Sequence, residues 1–264
     1  MIPFSDSSPR NHRFPYVTAV LIGISVLVFL YEISLSGLGI LKGNAGLDLN
    51  IFFFKWGFIA QELTSGEPFI SREFAIETPV HTVFTIFTSM FMHGGFLHLA
   101  GNMMFLWVLG DNIEDRFGHV KYLVFYLLAG VAATLSQWAI NPDSAVPLIG
   151  ASGAISGVVG AYLMFYPNNQ IKALIIFFFI TVVEMRALWL LGGWFVWQLI
   201  QGSLSLGMAD SVSVAFFAHI GGAVAGMVMA GIYKLVTGEP LIPGRRRPGG
   251  NPWDHWYQAG RPRD

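Results

Sequence analysis

Cysteine is absent from all 264 residues. That excludes disulfides, thiolate nucleophiles and cysteine-ligated zinc. Charge is scarce too: 12% of residues are Asp, Glu, Lys or Arg, where ordinary soluble domains carry about 25%. So few charges cannot cover a water-facing surface. No His-Glu-x-x-His occurs, and no carboxylate joins the histidines in a ligand spacing, so a metalloprotease lacks support. Residues 1–16 are polar, contain three prolines and do not read as a cleavable signal. No metal, cofactor or nucleic-acid partner is expected.

What the chain has is apolar length. It is 54% hydrophobic, with a mean hydropathy of +0.57. The pattern predicts an all-α, polytopic membrane helix bundle of six transmembrane helices. The first span is Val17 to Leu35. A long connection over 36–80 follows, and within it Ile51 to Trp56 is apolar but too short to cross, so it reads as interfacial. The second span follows Val80–Met92 and runs from His93 to Gly110. A charged turn from Asp111 to Lys121 leads to a third span over 120–140 and a fourth from Gly150 to Tyr166. Residues 171–183 imitate a span but are too few, and Glu184 and Arg186 follow at once. They read as a hairpin or interfacial piece on the cytoplasmic face. The fifth span covers Ala187 to Ser203, and the sixth Val212 to Tyr233. Residues 1–16 are thus a short cytoplasmic segment, 17–236 the membrane domain, and 237–264 a tail expected to be disordered.

Basic residues support this count. With the N-terminus inside, Arg10, Arg13, Arg116, Lys121, Lys172, Arg186, Lys234 and Arg245 to Arg247 are cytoplasmic. Outside, only the first connection holds any, at Lys42, Lys55 and Arg72, so both termini are expected in the cytoplasm.

Four polar residues then fall in the outer leaflet. His98 and Asn102 are four apart and share a helical face. Ser152, counted up from Tyr166, and His219, counted up from Tyr233, both come out about 21 Å above the cytoplasmic edge. In a hydrocarbon core of ~30 Å this buries both at one depth. Small residues line both helices: His219, Gly222, Ala223 and Gly226 on one, Ser152, Ser156 and Gly160 on the other, with Gly153 and Gly157 alongside. Such faces permit the close approach that a serine–histidine hydrogen bond needs. Ionisable residues inside a membrane are costly and by default functional.

The residue types suit acyl transfer. A serine hydroxyl needs a base to take its proton, and neutral imidazole serves near pH 7. The developing oxyanion needs donors already in place. His98, the Asn102 amide and the free N–H groups at the helix start by Ser152 can supply them. No carboxylate is expected at that depth to orient His219, so the expectation is a dyad.

With these residues assembled, the chain resembles the rhomboid family of intramembrane serine proteases, in its six-span bacterial form. The resemblance rests on Gly150-Ala151-Ser152-Gly153, on His219-Ile220-Gly221-Gly222, and on His93, His98 and Asn102 in the pattern His-x4-His-x3-Asn. Gly110, Glu114 and Gly118 agree with it, as do Trp194-Phe195 and Gln198, and it covers about residues 15–235. It implies Ser152 as nucleophile, His219 as base, and His98, Asn102 and the Ser152 amide as oxyanion donors. His93, Gly150, Gly153 and Gly222 support them. It also implies single-span or other transmembrane protein substrates, cut near the outer end of their helix. It implies neither metal nor cofactor, and a place in a bacterial inner membrane. Two positions depart from the pattern. Phe84-Thr85 stands where many members have Trp-Arg, and Ser156 where some have a tyrosine stacked on the histidine.

Two other functions compete. A non-catalytic rhomboid-like protein that binds or retains membrane clients would lack the serine or the histidine, and this chain has both. A channel or transporter would continue its polar path inward, yet Val158-Val159 and Met227-Val228-Met229 are apolar.

Overall fold

A computed structural model describes residues 2–7, 14–42, 45–71, 76–78, 82–176, 180–205 and 215–242. The expected tail beyond residue 242, Val80 and the loop after the fifth span lie outside these. The basic residues at 10, 13, 72 and 245–247 do so as well.

The stretches expected to span are occupied by helices α1 (Tyr16–Ser36), α5 (Phe96–Phe117), α6 (His119–Ile140), α7 (Ser152–Phe165), α8 (Ala187–Ser205) and α9 (Phe216–Val236). Short helices α2 (Gly46–Trp56), α3 (Ala60–Ser65) and α4 (Thr82–Thr88) fill the first connection. Among the described residues, three helices are long and apolar enough to cross a membrane: α1 with its following turn, α6 and α9. The segment Thr82–Phe91 and α5 pass the same test together but meet at an 85° bend. The chain is a helical integral-membrane protein.

Helix α7 is the hub. Its 14 residues rise about 21 Å, short of the ~30 Å hydrocarbon thickness. Gly153 through Tyr162 are all buried, because α5, α6, α8 and α9 all pack around it. A short helix with no lipid-facing surface along most of its length starts inside the protein, and its first residue is Ser152.

The α7–α9 contact has the expected small-residue form. A methyl on Gly222 would overlap the Gly153 carbonyl, and one on Gly226 the Gly157 carbonyl. On the other side of α7, a Cβ on Gly153 would come within 2.7 Å of Ala133 Cβ.

Two expectations are corrected. The fold is not all-α: β1 (Ile2–Asp6), β4 (Gln170–Ile176) and β5 (Ile180–Arg186) form an antiparallel sheet in the order β1-β4-β5. A two-residue pair, β2 (Ile70–Ser71) with β3 (Ile76–Glu77), adds a second. The β4–β5 hairpin is the segment read as too short to cross, and Thr181, Val182 and Val183 favour strand. Strand β1 comes from the N-terminal segment. Asp6 tethers it, accepting from Tyr162 Oη at 2.6 Å and from Asn112 Nδ2 at 3.2 Å.

The turn expected over Asp111–Lys121 is also much shorter. Helix α5 continues to Phe117, α6 begins at His119, and Gly118 alone turns the chain at φ 76°, a conformation glycine adopts without penalty. The charged residues belong to the helices. Glu114 caps α1, accepting from Val17 N and Thr18 N at 2.8 Å each and from Thr18 Oγ at 2.7 Å. A carboxylate is favoured there, where a helix start leaves N–H groups without partners. His119 Nδ1 meets the same carboxylate at 2.6 Å.

Candidate active site

Three helix starts and the middle of a fourth helix converge at the end of the bundle opposite that sheet. Helix α7 begins with Ser152, α9 brings His219 in its first turn, and α5 carries His98 and Asn102. His219 Nε2 lies 2.8 Å from Ser152 Oγ. The two side chains expected to meet from separate helices are thus in contact.

The other ring nitrogen is occupied as well. His219 Nδ1 lies 2.8 Å from Gln198 Oε1, and Gln198 is only 7% exposed. Trp194, one turn earlier on α8, sits against the imidazole with ring centroids 6.0 Å apart. Sequence reasoning does not place Gln198 at His219, although the four-residue spacing of Trp194 and Gln198 puts both on one helical face. Ser156, in the position of the stacking tyrosine, instead donates from Oγ to the Ser152 carbonyl at 2.6 Å. The aromatic neighbour of His219 therefore comes from α8 rather than α7.

His98 packs over the loop before Ser152. Gly150 has φ 126°, and a Cβ there would fall 2.9 Å from His98 Nε2 and 3.7 Å from Ser152 Oγ. Only glycine satisfies both the backbone angle and the approach. The Gly150 N–H donates to Ser89 O at 2.8 Å, which ties this loop to the turn before α5. His93 packs edge-on against His98, centroids 5.2 Å apart.

Two polar atoms of the site lack a hydrogen-bond partner among the described residues: Asn102 Nδ2 and His93 Nε2. Asn102 is 8% exposed and His93 fully buried. Buried polar groups are almost always paired, so an orphan invites explanation. Ser152 and His219 are half-buried and His98 is exposed, which leaves the serine reachable.

One buried carboxylate lies near the site, away from His219. Glu32 of α1 is fully buried and accepts from the His93 backbone N–H at 3.1 Å. It orients the loop before α5, and the group against His219 is an amide instead.

The site thus defines a class of protein: a membrane-embedded helical bundle holding a hydrogen-bonded serine–histidine pair at the start of a buried helix. Residues 80–235 match the Rhomboid domain, and the chain belongs to the rhomboid family. Rhomboid protease GlpG of Salmonella choleraesuis (strain SC-B67) is 32% identical over 160 residues, 58% of this chain and 49% of that protein. Rhomboid protease GluP of Bacillus subtilis (strain 168) is 35% identical over 85 residues, 32% of this chain and 16% of that protein. Rhomboid-like protein 11, chloroplastic, of Arabidopsis thaliana is 30% identical over 146 residues, 54% of this chain and 49% of that protein. These matches cover less than half of each relative's length.

Proposed function

We propose that the chain is an intramembrane serine endopeptidase that cuts transmembrane proteins near the outer end of their helix. The observation that carries this reading is the 2.8 Å contact between His219 Nε2 and Ser152 Oγ. Ser152 Oγ attacks the scissile carbonyl carbon and its proton passes to His219 Nε2. The C–N bond breaks as His219 returns the proton to the leaving amine nitrogen. Water, deprotonated by His219 in turn, then hydrolyses the acyl-enzyme ester. His98, Asn102 and the N–H groups at the start of α7 stabilise the oxyanion, and the Asn102 amide, without a partner among the described residues, gains one when that oxygen forms. Six spans with both termini in the cytoplasm put this site toward the outer face of a bacterial cell membrane. Two of the relatives are named proteases.

A non-catalytic client-binding role would leave no reason for a serine and a histidine at hydrogen-bond distance. Purified protein in detergent should cleave members of a panel of single-span substrates. A fluorophosphonate should label Ser152. Ser152→Ala and His219→Ala should each abolish cleavage without loss of folding or substrate binding. Undiminished proteolysis by Ser152→Ala would end the proposal.

A further inference from the structure

We infer that Gln198 is the positioning residue of the Ser152–His219 pair, fixing the ring and its tautomer through the Nδ1 side. This rests on the serine-protease reading above. The chemistry of the contact is directional. Gln198 Oε1 can only accept, so at 2.8 Å the proton of a neutral His219 resides on Nδ1. Nε2 is then left with its lone pair aimed at Ser152 Oγ, again at 2.8 Å. The opposite tautomer would put a proton between Nε2 and the serine and leave Gln198 Oε1 buried without a donor.

Burial explains why an amide does this work. Gln198 is 7% exposed on a helix packed against α7 and α9. An ionised carboxylate here would carry a large desolvation penalty, whereas an amide supplies the same acceptor without charge. Trp194, four residues earlier, closes the ring's flank at 6.0 Å. Between them the two side chains of α8 restrict both rotation of the imidazole and exchange of its proton. Gln198 meets His219 at Nδ1, on the side of the ring away from Ser152, so its effect passes through the imidazole.

Gln198→Leu removes the acceptor at nearly constant volume, and Gln198→Glu keeps an acceptor oxygen in either protonation state. In Gln198→Leu, kcat should fall roughly 10- to 100-fold, less than the ~10⁴ lost when the carboxylate orienter of a Ser-His-Asp triad is replaced by an amide. KM should stay within about twofold, since binding does not use the imidazole. The rate of fluorophosphonate labelling at Ser152 should fall in parallel with kcat. Gln198→Glu should restore both to within a few-fold of wild type. Either of two results overturns the inference: a folded Gln198→Leu protein labelled at the wild-type rate, or a folded Gln198→Glu protein labelled more than about 10-fold below the wild-type rate. The second holds even where the leucine variant does not fold. A wild-type protein that neither cleaves nor labels would instead sink the serine-protease reading itself. Normal wild-type labelling with an indifferent Gln198 sinks only the positioning role.

Discussion

Asn102 Nδ2 is buried without a hydrogen-bond partner among the described residues, and such a group costs about 1–3 kcal/mol in the resting protein. If the amide joined helices, it would have a partner in the resting structure, and Asn102→Ala would lower thermal stability. If it donates to an oxyanion, the variant should melt close to wild type. It should also lose about 10²–10³ in kcat with KM little changed. Melting and turnover measured on one preparation separate the two, and a variant that melts early but cuts normally refutes the oxyanion role. At this scale the sequence is legible where spacing carries the signal. His98 and Asn102 share a face, and the Ser152 and His219 side chains are in contact. Gln198 and Glu32 are not legible in that way. A neutral glutamine on an apolar helix has many uses, and nothing in the spacing of Glu32 links it to the His93 backbone 61 residues away.

The pair's geometry depends on how closely α7 and α9 approach. That approach is set by missing side chains: a methyl on Gly226 would overlap the Gly157 carbonyl. Gly226→Val should therefore force the helices apart and break the 2.8 Å serine–histidine contact. Fluorophosphonate labelling should drop even in the folded fraction. Gly23→Ala in α1 is the control, because nothing lies within 4 Å of its Cβ position, and alanine favours a helix interior by roughly 0.5–1 kcal/mol. Normal labelling of Gly226→Val would remove the packing argument. The helices themselves are plain in the sequence, since long apolar runs have few alternatives in a bilayer. The β4–β5 hairpin is legible by elimination, as an apolar stretch too short to cross. Strand β1 is not, because five residues with a proline, Ile2–Asp6, become a strand only when β4 offers an edge to pair with. That is a tertiary decision without a local signal.

At the scale of the whole molecule, polar anchors gather at one end. Glu114 caps α1, Asp6 binds Tyr162, and Lys234 Nζ donates to the Met164 carbonyl at 2.7 Å near the close of α7. Arg116 pairs with Glu239 at the same end. The Ser152–His219 pair lies toward the other. An arrangement with basic residues at the anchored end matches the bias of cytoplasmic loops toward lysine and arginine, and the proposed topology accordingly has the reactive end outside. The absence of cysteine makes this testable with single reporters. Asp143 follows α6 near the reactive end, Asn168 follows α7 at the anchored end, and both are exposed. In intact cells an impermeant maleimide should modify Asp143→Cys and leave Asn168→Cys untouched until the membrane is permeabilised. The fourth span lies between these two positions, so their labels must differ if α7, although only 14 residues long, completes a crossing with the loop that precedes it. Equal labelling of both from outside would place Ser152 in a re-entrant loop and overturn the six-span topology. The reversed pattern would keep the spans but turn the active site toward the cytoplasm.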